Sequence, residues 1–459
     1  MTAADVIRRA ALHLPATLLA GSQGLQRQGS VVDGQVAPQR PDAAARATDG
    51  GMTVLVASSG FEKGLGPRQA AAAIAEGVRA ESPSSRVLHV PVIDGGEGFA
   101  EEIVRISAGT IEHLYIVDPH GMIVTAQLGL IGRPAERTAV IGVGEAADLR
   151  RLPADRRDPT RASSRGVGQL IAAALDRGAR RIIIGCGDSG ANDGGIGMAS
   201  EFGIRFLDAN RSEIAEAGGL QRLATIDLSH RDPRLDQVSI EAVVNPYDDL
   251  LGEYGVTRIF GPRTGASQVQ VRRLERGLAR YADVIRQMFG IDVASLRGGG
   301  ASGGLGAGLA AFMGARLTSR LDFMRHNLGL ETSLAVTDLA IAAADSGDGR
   351  STSCEVPAWI VSRAKALGLP VIVLAGQCGI RDESSNHGDP EPARAIDATL
   401  SSEIAPGVAS RDEALPRTGE WLRHAGARAM RMALAKSLSG IRRHVPAPPL
   451  VGARMATRS

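Results

Sequence analysis

Short apolar runs alternate with helical patterns along much of the chain. Thr53–Ala57 is an apolar run, Arg68–Arg79 follows it with helical spacing, and Arg86–Val92 is a second apolar run. The same alternation occurs at 168–184 and 358–374, where a segment with helical spacing precedes an apolar run of strand length. This alternation is typical of parallel strands joined by helices, with function in the loops after the strands. The pattern therefore predicts a doubly wound, parallel α/β fold.

The ends of the pattern set the predicted boundaries of the folded part. From residue 22 to residue 51 the apolar residues show no regular spacing, and we interpret residues 1–51 as a flexible leader. Residues 441–459 hold several Arg and Pro and no acid, which indicates a disordered basic tail. Between them, Val269–Met288 has apolar residues at helical spacing and predicts one long packed helix. A length of 459 residues gives an expectation of about two to three domains.

Composition narrows the class of protein. Hydrophobic residues make up 44% and charged residues 22%, and the net charge is +2, which fits a soluble globular protein and not a nucleic-acid binder. No apolar run reaches the roughly 18 to 20 residues of a membrane helix, and we expect a cytoplasmic protein. The 3 cysteines are widely spaced, which argues against a disulfide framework or a zinc site. Only three of the 52 basic residues are lysines: Lys63, Lys365 and Lys436.

Glycine is abundant, at 57 of 459 residues, and much of it lies in loops beside strands and helices. Such loops let backbone N–H groups approach an anion, and a following helix adds a favourable dipole. Together the loops favour a cleft that handles phosphate or carboxylate groups, although each one alone fits an ordinary tight turn. They lie at 94–98, 185–195, 260–262, 298–306 and 345–349.

Acids within these loops have two interpretations. A positioned carboxylate on such a loop suits Mg²⁺ coordination or general-base work on a hydroxyl. It also suits a helix cap or a closed turn. We favour function for Asp94 and Asp193, but not for Asp188. Arg165, which follows Ser164, can clamp a substrate carboxylate or form a surface ion pair.

Several of these motifs resemble the bacterial glycerate kinase family. They occur in the family's order and at its approximate spacing between Met52 and about Ser439. Together they are specific, although no single motif is. The matching segments are Asp94-Gly-Gly-Glu-Gly98, Arg157-Asp-Pro159 with Ser164-Arg-Gly166, Asn192-Asp-Gly-Gly195, Asn245-Pro246, Phe260-Gly-Pro262 with Gly265-Ala266, and Gly303-Gly-Leu-Gly306.

The resemblance implies a fold and an activity. The expected fold has two α/β domains with the active cleft between them: a discontinuous Rossmann-like domain of residues 52–92 and 290–440, and a second domain of residues 93–289. The expected activity is transfer of the γ-phosphoryl group of ATP to a hydroxyl of D-glycerate, with Mg²⁺. The expected partners are therefore a glycerate-like hydroxy acid and a nucleotide, with a homo-oligomer possible and no nucleic acid or membrane.

The loops and the resemblance together give a predicted set of site residues. The predicted catalytic residues are Asp193, Lys63 and Asp348, and both aspartates are also predicted Mg²⁺ ligands. The predicted substrate-binding residues are Asp94, Glu97, Ser164, Arg165 and Asn192. The predicted phosphate-binding residues are Gly194, Gly303, Gly304 and Gly306.

The chain departs from the family's motifs at several charged positions. Lys63 matches a family lysine only if one residue is inserted nearby, and Glu355 stands where the family has a lysine. An acid beside a polyphosphate would reverse a favourable interaction, since phosphoryl transfer depends on positioning and charge neutralisation. An alternative hypothesis is therefore a pseudoenzyme that keeps the scaffold and binds a metabolite or a protein partner.

Overall fold

The computed structural model of the protein describes most of the chain between residues 51 and 441. The described ranges are 51–61, 65–93, 95–96, 98–148, 157–187, 189–346, 355–377, 400–403 and 417–441. The predicted leader up to residue 50 and the predicted tail from residue 442 lie outside these ranges. Within them, the chain forms two compact units: Ile93–Gly329 is one, and the other combines residues up to Val92 with those from Leu330 on.

The described strands follow one another along both units. They are β1 (Thr53–Ser58), β2 (Arg86–Pro91), β3 (Thr110–Val117), β4 (Ile123–Ile131), β5 (Thr138–Gly142), β6 (Arg181–Gly185), β7 (Arg205–Asp208), β8 (Leu223–Asp227), β9 (Ser239–Val244), β10 (Arg316–Ser319), β11 (Leu339–Ser346), β12 (Val371–Gln377) and β13 (Leu400–Glu403).

The described α-helices are numbered in the same way. They are α1 (Pro67–Glu81), α2 (Phe99–Ile106), α3 (Val143–Ala147), α4 (Arg165–Asp176), α5 (Ile196–Ser200), α6 (Val256–Phe260), α7 (Gln268–Phe289), α8 (Ala301–Met313), α9 (Arg320–Asn327), α10 (Leu330–Ala335), α11 (Glu355–Ala366) and α12 (Thr418–Ile441). Short 3-10 helices cover Pro134–Glu136, Ala217–Arg222, Pro233–Asp236 and Pro262–Thr264.

The discontinuous unit contains a five-stranded sheet in the order β13-β12-β11-β1-β2, and every pairing in it is parallel. The helices α1 and α12 pack closely against each other beside this sheet. A Cβ at Gly77 would lie 1.9 Å from the carbonyl oxygen of Arg423, so only glycine permits this crossing. The parallel α/β architecture predicted from the alternating pattern is confirmed here.

The continuous unit contains a six-stranded sheet in the order β10-β9-β6-β5-β4-β3, with a separate β7–β8 pair. The strands β5, β6, β9 and β10 are parallel, whereas β3 and β4 join as antiparallel strands, which the alternating pattern did not predict. The predicted long helix is confirmed as α7, which begins at a Ser267 capping box and ends at Gly290. Its residues Val271, Leu274 and Ile285 are buried as the spacing predicted.

The observed division between the units differs from the predicted boundary at 290. Strand β10 pairs with β9, and α8 packs with α5 and α6, so residues 290–329 belong to the continuous unit. The glycine-rich segment before α8 was expected in the discontinuous domain. In the structure it lies within the same unit as Asp193.

Candidate active site

Four parallel strands of the continuous unit end at one edge of its sheet. Because β5, β6, β9 and β10 are parallel neighbours in register, the residues that follow them meet at this edge, which we call the strand-end edge. In open α/β sheets, ligands bind beyond the carboxyl ends of the strands. The loops after β6 and β9 carry Asp193 and Asn245, respectively. The strand-end edge is therefore the candidate site in this unit.

The Asp193 side chain is buried and surrounded by donors. Its Oδ2 accepts hydrogen bonds from the backbone N–H of Ser164 at 2.8 Å, the Ser164 hydroxyl at 2.9 Å and the Gly197 N–H at 3.1 Å. Its Oδ1 accepts from the Gly195 N–H at 3.0 Å. Asp193 is only 1% exposed. The carboxylate therefore fastens the start of α5 to the start of α4.

Burial raises the pKa of Asp193, and the four hydrogen bonds oppose that rise. The prediction of Asp193 as base and Mg²⁺ ligand requires an accessible oxygen, and the geometry does not provide one. A Mg²⁺ ligand must turn a lone pair toward the ion, whereas both Asp193 oxygens already face protein donors. In this arrangement the Asp193 carboxylate is not suited to bind Mg²⁺. Its hydrogen bonds instead hold the starts of α4 and α5 together.

Ser164 and Arg165 are also held by protein groups. The Ser164 hydroxyl donates to Asp193 and accepts from the Met198 N–H at 3.0 Å. The Arg165 guanidinium contacts Glu201, and the arginine side chain is 60% exposed. Of the two interpretations of Arg165, the structure therefore contains the surface ion pair, which contributes little to stability.

Asn192 is the predicted substrate-binding residue whose geometry leaves an amide available. Its Oδ1 accepts a hydrogen bond from the Thr257 hydroxyl at 3.1 Å, and both residues are buried. This bond fixes which end of the amide carries the NH₂ group. Among the hydrogen bonds of the described residues, none uses Asn192 Nδ2. The NH₂ group is thus oriented, and the described residues provide no hydrogen-bond partner for it.

The predicted phosphate-binding glycines mainly let two backbone segments interlock. The N–H of Gly194 donates to the Gly303 carbonyl at 3.1 Å, and the N–H of Gly304 donates to the Gly300 carbonyl at 2.9 Å. A Cβ at Gly303 would lie 1.9 Å from the Ala191 carbonyl oxygen, and one at Gly306 would lie 2.3 Å from the Gly298 carbonyl oxygen. Close packing of the loop after β6 against the start of α8 therefore explains Gly303 and Gly304 in this structure. Gly306 packs instead against Gly298, and Gly194, with a φ of 66°, lies against Leu278 and Tyr281 of α7.

Three polar residues at the strand-end edge were missed as site candidates in the sequence. Asn245 follows β9 directly, and its Nδ2 donates to Asp248 Oδ1 at 2.5 Å. Arg320 follows β10 directly and is buried. Burial raises the pKa of Asp248, and the Asn245 bond and the Arg320 charge oppose the rise. Its position directly after a predicted parallel strand would have been the sequence signal for Arg320, but β10 was not among the strands predicted from the sequence.

The loop after β2 reaches the same edge. A Cβ at Gly95 would lie 2.9 Å from the backbone nitrogen of Cys186, which is the first residue after β6. The Cys186 thiol is buried, and burial together with the charge of Asp248 raises its pKa to about 12. The hydroxyl of Ser302 opposes this rise in the pKa of the thiol. Ser302 itself lies in the left-handed backbone region, with a φ of 52°. The loops after β2, β6 and β9 and the start of α8 therefore converge at the strand-end edge.

Other predicted residues lie outside the described ranges: Lys63, Asp94, Glu97 and Asp348. Within the described part of the chain, no group of three His, Cys, Asp or Glu side chains is arranged to hold a metal ion. No described helix is long and apolar enough to cross a membrane.

Comparison with known proteins decides the family. The sequence profile of the Glycerate kinase family matches residues 54–434. The chain belongs to the glycerate kinase family. It is 38% identical over 326 residues to Glycerate 2-kinase of Escherichia coli K12, covering 71% of this chain and 85% of that one.

Further relatives agree with this membership. Glycerate kinase of Halalkalibacterium halodurans is 35% identical over 375 residues, which cover 81% of this chain and 96% of the relative. A crystal structure of the Salmonella typhimurium LT2 protein named glycerate kinase 2 matches with a TM-score of 0.69 at 34% identity, covering 84% of this chain and 100% of the other. The two-domain α/β fold implied by the sequence motifs is confirmed.

Proposed function

We propose that this glycerate kinase family member transfers the γ-phosphoryl group of ATP to a hydroxyl of D-glycerate, with Mg²⁺, in the cytoplasm. The observation that carries the proposal is the extent of the family match, which includes elements of both compact units. The strand-end edge adds support, because polar side chains from several loops meet there. A match confined to one unit would have supported a shared fold alone.

The reaction needs a positioned hydroxyl and a neutralised polyphosphate. The acceptor oxygen forms a bond to the γ-phosphorus, the bond to the β,γ-bridging oxygen breaks, ADP leaves with that electron pair, and the hydroxyl proton passes to a base. When bound, Mg²⁺ with ATP supplies charge neutralisation at the phosphates. Lys63 and Asp348 remain our proposed contacts to the phosphates and the metal. Asp94 and Glu97 remain our proposed contacts to the substrate.

The described residues take more limited roles in this proposal. Asp193 and Ser164 hold the loop after β6 in shape through four hydrogen bonds. This loop presents the Asn192 NH₂ group, which we propose donates to the substrate. Gly303 and Gly304 allow the start of α8 to pack against this loop. Positioning of this kind is a large part of catalysis in phosphoryl transfer.

A second candidate is the pseudoenzyme, and Glu355 is the observation that favours it. Glu355 is the first residue of α11, where an acid stabilises the helix dipole. Helix stability therefore explains the glutamate, but it does not replace the positive charge of the family's lysine. In this alternative the protein binds glycerate or ATP without turnover.

A coupled assay for ADP release separates the two candidates. We expect glycerate-dependent and Mg²⁺-dependent turnover in the wild type, and a loss of at least about 100-fold in Lys63→Ala because a phosphate contact disappears. Lys365→Ala, which changes an exposed lysine on α11, is the matched control and should stay within about twofold. Thermal stabilisation by glycerate or ATP without any turnover would instead support the pseudoenzyme.

A further inference from the structure

Strand β3 forms one outer edge of the six-stranded sheet, with β4 on its inner side. Successive residues of an antiparallel strand bond alternately to the neighbouring strand and point away from it. The Asp118 N–H donates to the Met122 carbonyl at 2.8 Å across the turn between β3 and β4, so the even-numbered residues of β3 bond to β4. Val117 agrees with this alternation, because its N–H points outward and donates to Gln169 of α4 at 2.9 Å.

Three outward-facing residues of β3 leave their backbone groups available for another strand. They are Ile111, His113 and Tyr115, and within the described part of the chain their outward N–H and C=O groups form no hydrogen bond. The next outward positions, Gly109 and Val117, already donate to protein groups. We call the backbone of residues 111–115 the open edge.

Strand β3 lacks the usual features that keep an edge strand from pairing. Natural edge strands are protected by Lys, Pro, a β-bulge or a short length. In contrast, β3 spans 8 residues without Lys or Pro, and its register with β4 is unbroken from Thr110↔Leu130 to Val117↔Ile123. Exposed apolar side chains accompany the open edge, since Tyr115 is 84% exposed and its diagonal neighbour Ile123 on β4 is 74% exposed. Such an edge favours pairing with a further strand.

A second copy of β3 has the backbone pattern that the open edge requires. When two copies pair antiparallel about a two-fold axis at His113, Ile111 of each copy lies opposite Tyr115 of the other, and His113 lies opposite its own counterpart. Every open N–H then meets an open C=O. A register shifted by two residues in either direction would instead place Gly109 or Val117, whose N–H groups are already used, opposite an open residue. The open edge is therefore self-complementary in one register.

The side chains and charges agree with this register. Tyr115 opposite Ile111 of the second copy is an aromatic residue facing a β-branched one, which is a favourable cross-strand pair. The acidic residue of β3, Glu112, accepts from Arg177 Nε at 2.5 Å within its own chain. The two Glu112 residues are diagonal neighbours in the paired strands, so the dimer brings together two neutralised ion pairs and not two bare carboxylates.

The opposite edge of the same sheet is a poor partner for β3. Strand β10 has only 4 residues, and its first residue, Arg316, is bound to Glu241. A β3–β10 contact between copies would also repeat from head to tail, whereas a β3–β3 contact is isologous and closes at two copies. The closed arrangement leaves neither β3 strand with an open edge.

We propose that the protein forms a homodimer in which the β3 strands of two copies pair antiparallel about His113 and join their six-stranded sheets into one. The interaction surface is the open edge with the exposed Tyr115 and Ile123 side chains. The inference is independent of the proposed function, because it uses no substrate-binding group.

Analytical ultracentrifugation of the full chain over a range of protein concentrations tests the dimer and its surface. We expect the wild type to form a dimer that dissociates on dilution. Tyr115→Lys places a charge beside the open edge and should raise the dimer Kd by at least about 10-fold. Tyr254→Lys is the matched control, because Tyr254 is 62% exposed and lies outside β3, and its Kd should stay within about twofold of the wild type.

A backbone variant tests the hydrogen bonds themselves. His113→Pro removes the N–H at the two-fold axis, and proline is tolerated there because this N–H faces away from β4. We expect it to raise the Kd by at least about 10-fold as well, since two hydrogen bonds of the dimer are lost, with the melting temperature of the dilute protein little changed.

Cross-linking tests the register. His113→Cys places two identical thiols opposite each other at the axis, where Cα atoms about 5.5 Å apart suit a disulfide. Oxidised glutathione should therefore give a covalent dimer of His113→Cys that neither the wild type nor Thr125→Cys forms. Thr125 is the matched control because it is exposed on β4, one strand in from the open edge.

Four outcomes would overturn the proposal. A monomer at every concentration would exclude the dimer, and a dimer unaffected by both Tyr115→Lys and His113→Pro would place the interface elsewhere. Equal cross-linking at 113 and 125 would contradict the register. Amide hydrogen exchange that is slow at 111, 113 and 115 in monomeric protein would show that another segment of the same chain covers the open edge.

Discussion

Asp193 illustrates why residue type and loop context do not settle a role. An acid in a glycine-rich loop fits a catalytic group and a cap equally well in the sequence. The two roles differ in the hydrogen-bond donors that surround the carboxylate. One of these donors, Ser164, lies 29 residues away along the chain. Arg320 shows the converse, since no glycine motif marks it and its burial appears only when β10 joins the sheet beside β9.

The bond between Thr257 and Asn192 gives a prediction at the scale of one hydrogen bond. Thr257→Val keeps the shape but removes the hydroxyl, which leaves Asn192 Oδ1 without its donor. We expect the KM for glycerate to rise roughly 5- to 10-fold with little change in kcat, because the amide is no longer held in one orientation. Thr257→Ser should restore the KM. A loss of stability with an unchanged KM would show that the bond only supports the fold.

The packing of Gly303 gives a stability prediction with a matched control. Gly303→Ala would place a Cβ 1.9 Å from the Ala191 carbonyl oxygen at a φ of 71°. Gly290→Ala has nearly the same φ, 72°, but meets nothing within 4 Å. We expect Gly290→Ala to lower the free energy of unfolding by about 1 kcal/mol and Gly303→Ala by about 3 kcal/mol or more, measured in urea. Equal losses would contradict the close packing seen at Gly303.

At the scale of elements, Glu241 ties three parallel strands together. Its carboxylate on β9 accepts hydrogen bonds from Arg181 on β6 and from Arg316 and Thr318 on β10, the last two at 2.7 and 2.8 Å. Burial alone would raise the pKa of Glu241, but these hydrogen bonds and the two arginine charges outweigh it, so the pKa lies below its usual value. The network keeps the strands that form the strand-end edge in register.

This network predicts a pH-dependent stability. Because the pKa of Glu241 is lower in the folded than in the unfolded state, its stabilising effect is complete above about pH 4.3 and is lost as the pH falls further. Glu241→Gln should lower the free energy of unfolding by about 2 kcal/mol at pH 7. Urea titrations should show this difference shrinking as the pH falls below about 4.3. A difference that stayed constant with pH would contradict the role of the charge.

At the scale of the whole molecule, the spacing of apolar residues predicted those strands and helices that depend on local sequence alone. The strands β1, β2, β6 and β12, and the helices α1, α4 and α11 that precede the last three, appear where the sequence pattern placed them. The boundary near 290 could not be predicted in the same way, because the membership of α8 and β10 depends on long-range pairing with β9. The antiparallel addition of β3 and β4 is likewise a property of the sheet, not of either strand alone.

The task of the glycine-rich segment at 298–306 was only partly visible in the sequence. Glycine at 303 and 306 signals that backbone must come close to something, and the sequence does not distinguish a phosphate from another backbone segment. The structure shows neighbouring carbonyl oxygens at both positions. The family, by contrast, was evident from the ordered set of motifs, since it does not depend on any one of them.

Direct observation of the product tests the central claim most simply. Purified protein is incubated with D-glycerate and Mg-ATP, and phosphorus NMR follows the appearance of a phosphomonoester alongside ADP. The proposed function predicts that the new ester accumulates in a one-to-one ratio with ADP and that neither forms when glycerate is omitted. ADP that forms without an ester, or the absence of both products from protein that binds glycerate, would contradict it.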